Sequence, residues 1–236
     1  GEIVSISSAG LQSFSGQPLF EKALCIFEYV YFARPDSIIG GVNVHQVRKA
    51  VGALLAEKLP LKPDLVIPSP DSGVSAAMGL AEALKVPLEW AVHRNPYLGR
   101  TFIEPTQSGR EQAVHLKFNP ISGIIKDKKV AIVDDSLVRG TTARILTKML
   151  KKAGAAEVHL CIASPPYTNP CYYGIDIPAA AELAALDGDL GRLAQQLGAD
   201  SIIFAEPDDL YKAVGQESSK YCTACFSGLY PGGRAK

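Results

Sequence analysis

Two apolar rhythms alternate along this chain. Residues 44–59, VHQVRKAVGALLAEKL, carry apolar side chains at helical spacing and stop at Pro60, which predicts a helix. Residues 64–68, DLVIP, form a short apolar run suited to a buried strand. After the loop SPDSG, a helix of small residues is predicted over 74–84. Further strands are predicted at 87–92, 130–133, 158–163 and 202–205, with helices between several of them. The alternation predicts an α/β fold with a mostly parallel sheet, because parallel neighbours need crossover connections. AAAELAALDGDLGRLAQQLGAD reads as two helical pieces packed on the core, and Trp90 is expected to pack beside the second strand.

Residues 94–128, RNPYLGRTFIEPTQSGREQAVHLKFNPISGIIKDK, break the rhythm. The segment is polar, rich in Gly, Pro and cations, and has no sustained period. A stretch of this length inside a compact domain usually has a task, and its basic residues suit an anionic ligand.

Composition narrows the class. With 236 residues, 47% of them hydrophobic, the chain has material for one full core and a smaller appendage. Lys plus Arg and Asp plus Glu both number 24, so no net field draws it to nucleic acid or to an anionic membrane. No apolar stretch is long enough to span a bilayer and no signal-like leader opens the sequence, so a cytoplasmic location is expected. The opening Gly-Glu-Ile, without an initiator methionine, suggests a processed protein or a piece of a longer one.

The densest chemistry lies in KVAIVDDSLVRGTTARILTKML, residues 129–150. In a parallel α/β sheet, ligands collect at the carboxyl ends of the strands, where Asp134 and Asp135 would emerge. Adjacent carboxylates repel, so they need donors or a cation, and a ribose diol with a divalent metal supplies both. Gly140, Thr141 and Thr142 open the next helix, whose free amides and hydroxyls make an anion cradle. The helix dipole adds only about 0.3–1 kcal/mol at an exposed terminus, so direct hydrogen bonds must hold a phosphate there.

VAIVDDSLVRGTT resembles the phosphoribosyl pyrophosphate (PRPP) signature of type I phosphoribosyltransferases. EYVYFARPDS, PDSG, YLGRTFI, SPP, PCYYGID and CTACFSGLYP extend the likeness, and from about residue 1 to 230 the chain resembles the phosphoribosyltransferase portion of the glutamine PRPP amidotransferase family. The resemblance implies the type I fold: a mostly parallel sheet flanked by helices, a flexible cover loop and a C-terminal wrapping segment. It implies a core over 1–165 and a C-terminal helical segment over 166–236. It also implies synthesis of 5-phosphoribosylamine and pyrophosphate from PRPP and ammonia, the first step of de novo purine synthesis. GEIVSI matches the junction to an amino-terminal glutaminase domain, which is expected to be missing here. Glutamine-dependent activity is therefore not expected of this chain alone.

By the same resemblance, Asp134 and Asp135 would hold the ribose hydroxyls and help place Mg2+, while Ser136, Leu137, Val138, Arg139, Gly140, Thr141 and Thr142 would wrap the 5-phosphate. Asp71, Ser72 and Gly73 would bind the pyrophosphate and its metal, with Ser72 contacting Mg2+. Tyr97, Arg100 and Lys117 would act in the cover: the cations neutralise the departing pyrophosphate and Tyr97 seals the site from water. Two positions depart from the family, Pro96 and His115, where arginine is usual, and each removes a permanent cation.

The cysteines carry a second signal. Cys222 and Cys225 form a C-x-x-C, with Cys25 and Cys171 far away in sequence. Four thiolates can hold zinc or an iron–sulfur cluster, and spacing alone does not separate these. In one branch of the resembled family, cysteines in these contexts ligate a [4Fe-4S] cluster of structural role. Cys161, inside VHLCIAS, reads as a core residue. His45, His93, His115 and His159 share no metal-ligand spacing. The family also implies a homotetramer. Two other readings stand: a non-catalytic PRPP-binding regulator, and a purine-base transferase, for which no nucleobase pocket is identifiable.

Overall fold

The computed structural model describes residues 2–15, 23–95, 97, 118–177 and 182–232. Strands β1 (Glu2–Ser7) and β2 (Gly10–Ser15) form an antiparallel hairpin exposed on both faces. Strand β3 (Leu24–Cys25) leads into a π-helical turn, Glu28–Phe32. A small hairpin of β4 (Ile38–Ile39) and β5 (Val42–Asn43) precedes helix α1 (Val44–Leu55). Then follow β6 (Leu65–Pro68), α2 (Val74–Leu84), β7 (Val92–Arg94), β8 (Phe118–Pro120) and the short α3 (Ser122–Ile125). The second half comprises β9 (Lys129–Asp134), α4 (Thr141–Lys152), β10 (Glu157–Ile162), α5 (Leu190–Leu197) and β11 (Ser201–Phe204). Helix α6 (Pro207–Val214), β12 (Tyr221–Cys222) and α7 (Ala224–Ser227) complete it.

The centre is a four-stranded parallel sheet in the order β11–β10–β9–β6. Its strands are apolar on both faces because each face is covered. Along β9, Ala131 and Val133 join one apolar cluster with α1, α2 and α6, while Val130 and Ile132 join the other with α4 and α5. Helices α1 and α2 cross at backbone contact: a Cβ on Gly52 would lie 1.9 Å from the Ala76 oxygen, and one on Gly79 would lie 1.8 Å from that of Lys49. Any larger residue at either position forces the helices apart.

The predicted helix over 44–59 ends earlier, at Leu55. The amides of Glu57 and Lys58 bond three residues back, to Leu54 and Leu55, so the last turn tightens. Its start is set by Asn43, whose side chain accepts from the Gln46 amide at 3.1 Å. The strand predicted at 87–92 is reduced to one parallel bridge between Leu88 and Val66, flanked by Val66 N–H to Pro87 O and Glu89 N–H to Val66 O. Pro87 has no amide to continue the ladder. The chain then turns away to pair as β7 with β8, and Trp90 is 53% exposed rather than packed. Of the two helical pieces predicted near 179–200, the described residues contain one, α5, capped by Asp189 accepting from the Arg192 amide at 2.9 Å. No described helix is long and apolar enough to cross a membrane.

Candidate functional site

Strands β6 and β9 are neighbours, with Pro68 opposite Val133, so the loops that leave their carboxyl ends meet. The β6 loop folds tightly onto β9: the Ser69 amide donates to Val133 O at 2.7 Å, and the Gly73 amide to Ser69 O at 3.0 Å. A Cβ at Gly73 would lie 2.0 Å from the Val133 oxygen, so only glycine fits there. The Pro70–Asp71 peptide is cis. This packing delivers the Ser72 hydroxyl to Asp134, donating to Oδ1 at 3.1 Å. The same oxygen accepts the Asp135 amide at 3.0 Å, and the Ser136 hydroxyl donates to Asp135 Oδ1.

The two carboxyls are the electrostatic centre of the site. Burial, followed by repulsion from Asp135, pushes Asp134 up to about 7. Burial also raises Asp135, opposed by bonds from Ser136 and Ser72 and by the charge of Arg48. The pair therefore titrates as a unit. It asks for hydroxyl donors or a cation on its open side.

Arg48 was not singled out from the sequence. It is 8% exposed, and it donates through Nε to Tyr29 O at 2.6 Å and through Nη2 to Ala33 O at 2.9 Å. Together with Tyr29, Ser72 and Asp135 it lines a cavity of about 10 Å³, room for about one water, behind the acidic pair. A signal was present: Arg48 shares the buried face of α1 with Val44, Val47 and Val51, where a cation is out of place.

The Asp135–Gly140 loop enters α4 through Gly140, at φ +72°, and the first turn of α4 has no side-chain cap. Leu137 is buried in the core and Val138 packs against the other cluster, so these two offer a ligand only their backbone. The Val138 carbonyl accepts the Ala184 amide at 2.8 Å, and Arg139 Nε bonds Glu182 at 2.9 Å, both side chains exposed. Thr141 and Thr142 stand at the helix start.

Asp71 is exposed and paired with Arg94 Nη1, while Arg94 Nε is buried without an acceptor. Tyr97 is 94% exposed. Arg100 and Lys117, together with Pro96, His115 and the rest of the proposed cover, lie outside the described residues.

The cysteines converge at the far end of the first cluster. Cys25 and Cys222 face each other in the parallel β3–β12 pair, and the Ile26 amide donates to Cys222 O at 3.2 Å. The loop after β10 is bound to α7: the Thr168 and Asn169 amides both donate to Cys225 O, and the Thr168 hydroxyl donates to Phe226 O at 2.7 Å. Tyr230 O–H to Pro170 O, at 2.6 Å, fastens the Cys171 side. Burial, then the neighbouring thiols of Cys25, Cys222 and Cys171, push Cys225 up to about 12. Cys25 is raised by burial and also by Cys222 and Cys171. Among the described residues, no group of three His, Cys, Asp or Glu side chains is arranged to hold a metal ion. Cys161 is wholly buried in β10, away from this group, as its apolar context predicts. His45 bonds Ser75, and His159 is buried between Glu157 and Ser201.

Residues 43–173 match the family model for the phosphoribosyl transferase domain. The amidophosphoribosyltransferase of Synechococcus elongatus is 44% identical over 231 residues, covering 98% of this chain and 47% of that relative. The amidophosphoribosyltransferase of Bacillus subtilis is 43% identical over 235 residues, covering 98% and 49%. The solved glutamine PRPP amidotransferase of B. subtilis, complexed with ADP and GMP, superposes with a TM-score of 0.84 at 43% identity, over 98% of this chain and 52% of that one. The chain thus spans about half the length of the curated relatives it matches. Its sheet order and loops have the type I phosphoribosyltransferase architecture, and the chain belongs to the phosphoribosyl transferase domain family.

Proposed function

We propose that this chain binds PRPP across the ends of β6 and β9 and transfers its phosphoribosyl group to ammonia. The observation that carries the reading is the acidic pair, with Asp135 buried and Asp134 half-buried beside it, bonded to Ser136 and Ser72, one strand away from the Ser69–Gly73 turn. The ribose 2- and 3-hydroxyls would donate to the two carboxylates. The 5-phosphate would rest on the backbone from Ser136 to Thr142, and the pyrophosphate on Asp71, Ser72 and Gly73. The bond from the anomeric carbon to the pyrophosphate oxygen breaks with its electron pair leaving on pyrophosphate. The ammonia lone pair forms the new C–N bond, and the nitrogen then sheds a proton. Positioning and exclusion of water do the work, since the nucleophile needs no base. Arg100, Lys117 and Tyr97 would act from the cover.

Two groups would assist. Mg2+ suits a site with two carboxylates and a hydroxyl, because it keeps several waters and takes further oxygens from substrate phosphates. When bound it would neutralise charge building on the leaving group. The four thiols of Cys25, Cys171, Cys222 and Cys225, already within electrostatic reach of one another, suit a [4Fe-4S] cluster, which is wider than a single ion. Its contribution would be to fasten β3, the loop after β10 and the C-terminal segment.

Relatives of about twice this length, among them the glutamine PRPP amidotransferase of B. subtilis, support an ammonia-supplying glutaminase domain or subunit as partner. The test is incubation with PRPP, Mg2+ and ammonium chloride, with pyrophosphate release as the readout. Release is expected with ammonium, and not with glutamine in its place. PRPP binding without release under any nitrogen source would instead indicate a regulator.

A further inference from the structure

No side chain caps the first turn of α4, so the loop that would cradle the 5-phosphate is held from outside. The stretch from Glu182 to Ala184 does this, meeting three successive loop residues. The Ala184 amide donates to the Val138 carbonyl at 2.8 Å, and Arg139 Nε donates to Glu182 Oε2 at 2.9 Å. A Cβ on Gly140 would lie 3.5 Å from the Ala184 Cβ and 2.9 Å from Leu197 Cδ2, so this side of the loop is closed by packing. The stretch is itself anchored, because Leu183 is buried in one apolar cluster and Ala185 in the other. Glu182 is therefore an exposed carboxylate on a fixed backbone.

We propose that Glu182 is a positioning residue for the 5-phosphate: it holds Arg139 by Nε and leaves the two terminal nitrogens of that guanidinium for the phosphate. Among the described residues neither terminal nitrogen has an acceptor. A guanidinium donates in a planar fork, so holding one nitrogen fixes the plane in which the others donate. Arg139 is 58% exposed, and a free side chain there would have to be ordered at the moment of binding, at a cost in affinity. The carboxylate also lowers the pull of the cation on an anion, so its benefit must come from orientation. Exposed ion pairs add little to stability, which places the effect in ligand affinity and not in unfolding. Glu182 acts through Arg139. This rests on the reading of the loop from Ser136 to Thr142 as the phosphate site.

The test titrates wild type, Glu182→Ala and Glu182→Gln calorimetrically with ribose 5-phosphate and, separately, with magnesium pyrophosphate, which has no 5-phosphate. Glu182→Ala should bind ribose 5-phosphate about twofold to fivefold more weakly, the range an exposed ion pair can supply. Glu182→Gln keeps an acceptor for Nε and should fall between the two. Magnesium pyrophosphate should bind all three chains alike, and their urea midpoints should coincide. Unchanged affinity for ribose 5-phosphate overturns the proposal. So does tighter binding by Glu182→Ala, which would make Glu182 a competitor of phosphate for Arg139. Equal weakening of both ligands, or a urea midpoint lowered in step with the affinity, marks a structural role and overturns it too. Adding Glu182→Ala to Arg139→Ala should cost no further affinity, and additive losses would show that Glu182 does not act through Arg139. A wild-type chain that binds neither ribose 5-phosphate nor PRPP overturns the phosphate-site reading itself.

Discussion

The Ser72 hydroxyl donates to Asp134 across 62 positions of sequence, joining the loop after one central strand to the end of its neighbour. This bond places two polar turns within reach of one ligand. It exists because Gly73 lets the first turn lie directly on the Val133 carbonyl.

Replacing Gly73 with alanine should therefore damage both fold and site. The added Cβ would meet the Val133 oxygen at 2.0 Å, and a backbone carbonyl in a central strand has nowhere to move. A loss of about 1–3 kcal/mol is expected from such overpacking. Urea unfolding measures it, and an unchanged midpoint for Gly73→Ala would contradict the close approach.

Stability of the free chain should carry the signature of the acidic pair. In the fold Asp134 holds its proton up to about pH 7, against 3.8 for an ordinary aspartate. Between those values the folded state binds more protons than the unfolded state, so this contribution is full below about pH 4 and is lost as pH rises through 7. Asp134→Asn removes it. The variant should gain on the wild type between about pH 5 and pH 8 in urea midpoints taken without ligand or added cation. A gap that stays constant across that range would place Asp134 in an ordinary, hydrated environment.

Arg48→Met should destabilise the chain by about 1–3 kcal/mol for each of the two carbonyls, Tyr29 and Ala33, left without a donor. Arg48→Lys should recover only part of this, because an ammonium cannot reproduce the fork that spans both oxygens. Equal stability of the Lys and Arg forms would mean that charge alone matters there.

Reconstitution with ferrous iron and sulfide under reducing conditions should give a chain holding four irons, and Cys222→Ser should hold fewer or none. Assembly should release protons, since burial and neighbouring thiols keep Cys225 protonated up to about 12 before metal binds. Hydrogen exchange then locates the effect: iron should slow exchange from Tyr221 to Leu229 before it affects the central sheet. Equal protection of that tail with and without iron would rule out a fastening role.

The unbroken apolar runs at 64–68 and 130–133 identified strands covered on both faces, and the parallel sheet followed from the crossovers. Near 87–92 the same reasoning overreached. Apolar residues suffice for burial there, but Pro87 cannot extend a ladder, and among the described residues the segment makes one bridge to the central sheet. The hairpin of β1 and β2, with Ile3, Ile6 and Leu11 exposed, had no buried face to create a readable alternation.

Within the site, Asp134 and Asp135 stood out because adjacent carboxylates at a strand end have few structural uses, whereas Ser72 and Gly73 lie in an ordinary turn sequence and were singled out only through the family resemblance. Arg48 was not: in sequence it stands between Val47 and Lys49 as one of two adjacent cations on a helix, and its role depends on the carbonyls of Tyr29 and Ala33 from another element. The amino-acid order set where charge and apolar surface occur along this chain, because local period and turn chemistry act over a few residues. Only folding decided which distant groups meet and which oxygens lose their water, because burial and desolvation depend on the whole packed molecule.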